Sequence, residues 1–260
     1  MNITKASFSP SGTTRRVVDL VTRELTSAMP QADKKVLDFL NEPFSETVVF
    51  GQEDVLVIGL PVYYGRIPDL SVDWVKQLEG NGTKAVALAV YGNRDYDDAL
   101  LELAELLTAQ GFEVIGAAAF IAQHSIFSEV AAHRPDDKDR QLLASFGSAC
   151  AKKLLSGASA LDVSRIKGNH PYKAYGTLPF KPSAEEDECI RCGMCASLCP
   201  AHAISPDEPY KTKEDICISC TACIAVCPVS ARAFKGDAFK LKARAFGEAC
   251  AERKEPEAYL

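Results

Sequence analysis

Between Glu188 and Pro228 the chain uses one cysteine spacing twice, C-x2-C-x2-C-x3-C followed by proline, first as ECIRCGMCASLCP and then as ICISCTACIAVCP. The two runs align with an offset of 28 residues, matching Asp187 with Asp215, Ile190 with Ile218, Pro200 with Pro228 and Ala203 with Ala231. This is an internal duplication. Zinc sites generally take one pair of ligands from a CxxC and the other pair from a distant segment. Three cysteines at two-residue gaps instead suit three corners of a cuboidal cluster, with the fourth cysteine directed elsewhere. A double zinc module and a disulfide scaffold are the competing readings. The small residues Gly193, Ala196, Thr221 and Ala222 between the cysteines let backbone N–H groups approach sulfur. Ile190, Ile218, Ile224 and Val226 are placed to keep water away.

Eight of the ten cysteines fall in these runs. The other two, Cys150 and Cys250, stand alone and read as small buried hydrophobes. The opening residues MNITKASFSPSGTT lack a basic segment followed by an apolar one, and no apolar run approaches the length of a membrane span. The expectation is a soluble, cytoplasmic protein, where clustered thiols serve as metal ligands rather than disulfides. A net charge of -6 argues against nucleic acid or an anionic membrane as partner.

Residues 1–160 alternate apolar runs with amphipathic ones. ITKASF, KKVLDFL, DVLVIGLPVYY, KAVALAVYG and EVIGAAAFIAQHS read as strands. TRRVVDLVTRELTSAM, LSVDWVKQLEG, DYDDALLELAELLTAQGF and PDDKDRQLLASFGSACAKKLLSG read as helices. Strands apolar throughout are covered on both faces, and helices between them are parallel crossovers. The predicted architecture is α/β, a doubly wound five-stranded parallel sheet over 1–160. A linker or strap over 161–186, the cysteine domain over 187–235 and a C-terminal helix over 236–260 follow. Phe239, Leu241, Ala245 and Phe246 would face one of the two domains.

Ligands of doubly wound sheets bind beyond the carboxyl ends of the strands. Three loops stand there. SPSGTT, with Ser9, Ser11, Gly12, Thr13 and Thr14, opens a helix and suits an anion, though a capped helix start would look the same. It is neither a Walker A loop nor G-x-G-x-x-G. PVYYGR brings Pro61, Val62, Tyr63, Tyr64, Gly65 and Arg66, and YGNRDY brings Tyr91, Gly92, Asn93, Arg94 and Tyr96. Aromatic side chains and free amides there suit a planar heterocycle.

The cysteine region resembles the bacterial two-cluster ferredoxins over some 48 residues, with both motifs intact. That resemblance implies two [4Fe–4S] clusters, one held by Cys189, Cys192, Cys195 and Cys227, the other by Cys217, Cys220, Cys223 and Cys199. SPSGTT is similar to the flavodoxin phosphate loop, (S/T)-x-(S/T)-G-x-T, and implies a flavodoxin-like domain carrying FMN, its phosphate in Ser9–Thr14 and its ring between the other two loops. Arg15 and Arg16 beside it read as solvated. Taken whole, with VYGNR and PYKAYGTLPFKPSA, the chain resembles the fused flavodoxin–ferredoxin family of anaerobic bacteria and archaea, and the small domain is expected to be α+β and ferredoxin-like. The chain lacks the long insertion of long-chain flavodoxins in its fifth strand and departs from short ones at QHSIF, where His124 either faces the flavin or caps a loop.

The resemblance implies low-potential electron transfer between the clusters and FMN, with redox proteins as donor and acceptor; formation of a homodimer is compatible with the sequence. The alternative is an FMN-dependent reductase of a quinone, nitro compound, free flavin or corrinoid, with Arg66, Arg94 or His124 in its pocket. A third reading makes the first domain a docking scaffold without cofactor.

Overall fold

The structure, a computed structural model, describes residues 1–42, 46–157 and 159–260. Its elements in chain order are β1 (Asn2–Ser7), α1 (Thr13–Ala28), β2 (Asp33–Asp38), β3 (Val48–Val49), β4 (Val55–Pro61), α2 (Asp69–Lys76), β5 (Leu78–Glu79) and β6 (Lys84–Tyr91). There follow α3 (Ala99–Ala109), β7 (Glu113–Ile121), α4 (Asp137–Leu155), α5 (Met194–Ser197), α6 (Ala222–Ala225), α7 (Asp237–Ala249) and β8 (Glu257–Tyr259).

The strands β4, β6 and β7 are buried almost residue by residue, because helices cover both faces of the sheet they form. Val17, Val18, Val21 and Leu25 make one buried stripe on α1, three and four residues apart. With α4 they close a core against Ile3, Val57, Leu88 and Phe120. The opposite face is filled by α3 and Phe8, Leu60, Tyr91 and Tyr96, among others. Helix α4 begins with a capping box between Asp136 and Asp139, and carries Lys152 and Lys153 in its last turn, as the helix dipole favours.

The sheet order is β2-β1-β4-β6-β7-β8. The first five strands pair in parallel. Skipping the two-residue pair β3 and β5, which bond only each other, this is the flavodoxin-like order 2-1-3-4-5. The expected five strands are therefore joined by a sixth. β8 runs antiparallel to β7, with Ala117 opposite Tyr259 and Ala119 opposite Glu257. The segment 236–260 is thus a helix over 237–249 and then a strand, which no local periodicity announces. Phe239 of α7 stacks on Phe127 and Phe234 and meets Phe180 edge-on, while Phe246 packs against Phe127, joining the first domain, the strap and the cysteine domain. Leu241, expected to pack, is 71% exposed.

Candidate cofactor sites

In the cysteine region the duplication extends to the backbone. Arg191 and Ser219, Gly193 and Thr221, and His202 and Ser230 occupy matched positions and all have positive φ, between 52 and 75°. Non-glycine residues in that region are strained, and such strain collects where the backbone must face a ligand. Here it turns amides toward sulfur: Ala203 N donates to Cys199 Sγ at 3.2 Å, and Ser219 N to Cys217 Sγ at 3.4 Å. Around Cys227, burial opposes ionisation, yet the amides of Arg232, Val229, Ala231 and Ser230 hold the thiol below its ordinary value.

The eight cysteines surround two cavities of about 320 Å³ each, open mouths included. Cys189, Cys192, Cys195 and Cys227 line the first. Cys199, Cys217, Cys220 and Cys223 line the second. Each cavity takes three sulfurs from one run and the fourth from the other. Among the described residues no three His, Cys, Asp or Glu side chains converge as a single ion requires; zinc would draw thiolate sulfurs to about 3.8 Å from one another. Four cysteine sulfurs to a cavity, three from one run and one from the other, are the donor set that a cuboidal cluster takes. The first cavity opens at the surface, where Cys192 is exposed and Ile190, Met194 and Val229 stand around it. The second is turned inward. Cys220 and Ala222 belong to the core of the first domain, with Ile218 and Leu198 packed against it.

The loops after β1, β4 and β6 stand side by side at the carboxyl edge, since those strands are neighbours. Ser9 and Thr14 are buried. Ser9 O accepts from Gly12 N at 3.1 Å, and its hydroxyl from Arg15 N at 2.9 Å. Gly12, the N-cap of α1, has φ 81° and no side chain of its own to cap the helix, so the Ser9 hydroxyl serves the Arg15 amide instead; nothing stands within 4 Å of where its Cβ would be. Ser11 and Thr13 join their hydroxyls at 3.1 Å on the exposed side. A helix start under small hydroxyl residues, with an open glycine before it, fits a phosphate. Arg15, read as solvated, bonds Asp38 at 2.9 Å.

After β4, Val62 N donates to Val90 O. Tyr63 and Arg66 exchange backbone hydrogen bonds across Tyr64 and Gly65, at φ 55 and 88°. That is a type I′ turn, which glycine at its second position favours. The Tyr63 hydroxyl is raised well above its usual pKa by burial, with the charge of Cys220 adding to it. Arg66 turns away from the loop. It is 11% exposed and grips Glu102 with two bonds of 2.7 Å, donates to Lys173 O, and lies over the rings of Tyr175 and Tyr172 at 4.2 and 4.8 Å. The strap is an ordered segment held here. Asn169 and Lys173 donate to Asp98, and Gly176 is so close to Tyr64 that a Cβ would come within 2.6 Å of its ring.

After β6, the chain uses its own tail to bind the expected flavin loop. Asn93 Nδ2 donates to Cys250 O and Glu252 O at 2.8 Å, and its Oδ1 accepts from Lys254 N. Tyr96 is 1% exposed and donates to Glu257 at 2.7 Å. Tyr91 is buried beside Tyr96, and Arg94 pairs with Asp97. His124 packs against Gly92 and accepts Ile126 N and Phe127 N on Nδ1, so it caps its loop. Burial, with Arg94 adding to it, depresses its pKa to about 4.

Residues 188–234 match the 4Fe-4S dicluster domain. No curated protein matches the chain by sequence. Among solved structures, a flavodoxin from the domain Archaea aligns at 18% identity and TM-score 0.43, over 60% of this chain and 99% of its own. Flavodoxin 1 from Bacillus cereus aligns at 18% identity and TM-score 0.43, over 58% of this chain and 98% of its own. An azoreductase from Bacillus anthracis aligns at 12% identity and TM-score 0.39, over 60% of this chain and all of its own. The fold assignment stands on strand order. The chain joins a flavodoxin-like fold to a 4Fe-4S dicluster segment.

One residue absent from the sequence reading lies in this region. Arg232 is 2% exposed and lines the first cavity. The duplication carries the signal for it: at the offset of 28, Arg232 stands where the first run has Ile204.

Proposed function

We propose that the chain is an intramolecular electron relay, in which FMN seated on Ser9–Thr14 and the loops after β4 and β6 exchanges electrons with two [4Fe–4S] clusters held by the eight cysteines. The clusters supply one-electron transfer at low potential, and the flavin supplies storage for a second electron. What supports the reading above all is a shared core: Cys220 and Ala222, which line the inner cysteine cavity, belong to the same apolar cluster against which Tyr63 of the loop after β4 packs. The outer cavity, with Cys192, Ile190, Met194 and Val229 exposed, is the face for a redox partner protein. Ile218, Leu198 and Ala222 exclude water between the domains. The start of α1 binds the phosphate, and the Tyr64–Gly65 turn presents its peptide to the ring. The strap and α7 hold the two domains at a fixed separation, which makes transfer independent of encounter.

The alternative, reduction of a small acceptor, draws on Arg66, Arg94 and His124. Each is engaged by its own chain, with Glu102, Asp97 and the amides of Ile126 and Phe127 respectively. Iron, sulfide and flavin counts on anaerobic protein test the cofactors. Stopped-flow reduction then tests the relay: cluster bleaching and flavin reduction should be coupled at a rate independent of protein concentration. Exchange that is wholly second order would refute it.

A further inference from the structure

Arg232 is a buried guanidinium without a carboxylate partner among the described residues. Its Nη1 donates to Pro209 O and, at 3.5 Å, to Lys211 O; its Nη2 donates to Pro182 O at 2.8 Å and to Thr212 Oγ1. All four acceptors are neutral. The fifth donor, Nε, is buried and has no partner. Guanidinium offers five donors and a full positive charge, and burying such a charge without an anion is strongly unfavourable. Some anion therefore belongs beside it.

The surroundings say which. Arg232 lines the first cysteine cavity and lies next to a ligand of each: burial raises the Cys195 and Cys223 thiols, and the Arg232 guanidinium pulls both back. At the matched position in the first repeat, Ile204 lines the second cavity. The duplicated unit has thus exchanged an apolar side chain for a cation at one of its two copies, at the place where both sets of cysteines meet. A cuboidal cluster with four thiolates is anionic, and its charge grows by one when an electron arrives.

We propose that Arg232 is the internal counter-cation shared by the two clusters, and that it raises the reduction potential of both. This rests on the cluster reading above. Each cluster takes one electron from the reductant and needs no proton, since the added negative charge is met by a cation already in place. Arg232 also reaches the Cys223 sulfur, and its Nε–H, which no protein oxygen or nitrogen accepts, would donate to cluster sulfur, acting in the same direction. Lys181, another cation near these ligands, donates to the Cys217 carbonyl and the Ser219 hydroxyl from a half-buried position.

The test compares full-length holoprotein with Arg232→Gln, which keeps donors for the surrounding carbonyls without charge, and with Arg232→Lys, which keeps the charge. Iron and sulfide are counted first, and wild-type protein without iron would sink the cluster reading itself. EPR-monitored anaerobic titration with dithionite then reads both midpoints. In Arg232→Gln the equilibrium constant for reducing each cluster should fall at least tenfold, a drop of about 59 mV or more. Arg232→Lys should stay close to wild type. Fully loaded Arg232→Gln titrating with wild type overturns the proposal, as does Arg232→Lys falling as far as Arg232→Gln. Loss of iron from both variants would assign Arg232 to assembly alone and overturn it equally.

Discussion

The joint between strap and sheet can be broken at one side chain. Arg66 and Glu102 are 11% and 6% exposed, and two 2.7 Å bonds join them. Replacing Arg66 by Met leaves the Glu102 carboxylate buried and unpaired, which destabilises by about 3–5 kcal/mol. The stacked rings of Tyr172 and Tyr175 add roughly 0.5–2 kcal/mol. Since the strap also loses the bond to Lys173 O, the loss should appear locally as well as globally. Denaturant unfolding of Arg66→Met should show a destabilisation of about 4 kcal/mol. Amides of residues 169–176 should exchange hydrogen faster than in wild type. Adding Glu102→Leu removes the stranded charge and should recover all but about 1 kcal/mol, because buried pairs are often replaceable by apolar groups. A loss under about 1 kcal/mol in the single variant, or simple additivity in the double one, would refute the buried-pair argument.

Two further outcomes are expected. His124 has a folded pKa near 4, below the ordinary imidazole value of about 6.5. The unfolded chain therefore binds more protons between those values, so the contribution is complete above about pH 6.5 and is lost as pH falls toward 4, by up to about 3 kcal/mol. Thermal unfolding from pH 4 to 8 should show this slope flattened in His124→Asn, and parallel profiles would contradict it. Cys199→Ala should remove about half the iron, and EPR should show the retained cluster to be the one bound by Cys189, Cys192, Cys195 and Cys227. Loss of that cluster instead would invert the ligand scheme.

The parallel strands were legible because their burial is complete: VLVIGLP and AVALAVY are apolar whichever way each side chain points. The spacing of the cysteines likewise carries their grouping into two cavities. What was illegible depends on partners distant in sequence. EAY at 257–259 is too short and too polar to announce a strand, and it becomes one only against β7. Arg66 reads as a substrate ligand until Glu102, 36 residues on, is seen to hold it. Asn93 and Tyr96 read as flavin contacts, and the structure gives their polar atoms to residues 250–257, some 160 positions away. Arg232 was legible in principle, as a mismatch between two otherwise similar repeats.

The strand β8 gives the chain an order of assembly. A ribosome making about 5–20 residues per second takes roughly 7 to 27 seconds to pass from β7 to β8, and the eight clustered cysteines emerge in that interval. Until then the outer rim of β7 keeps its peptide groups unpaired, a rim prone to wrong association. Both cysteine runs are therefore made before the strand that seals the sheet, and a chain cut short ahead of residue 257 would carry them beside an open edge.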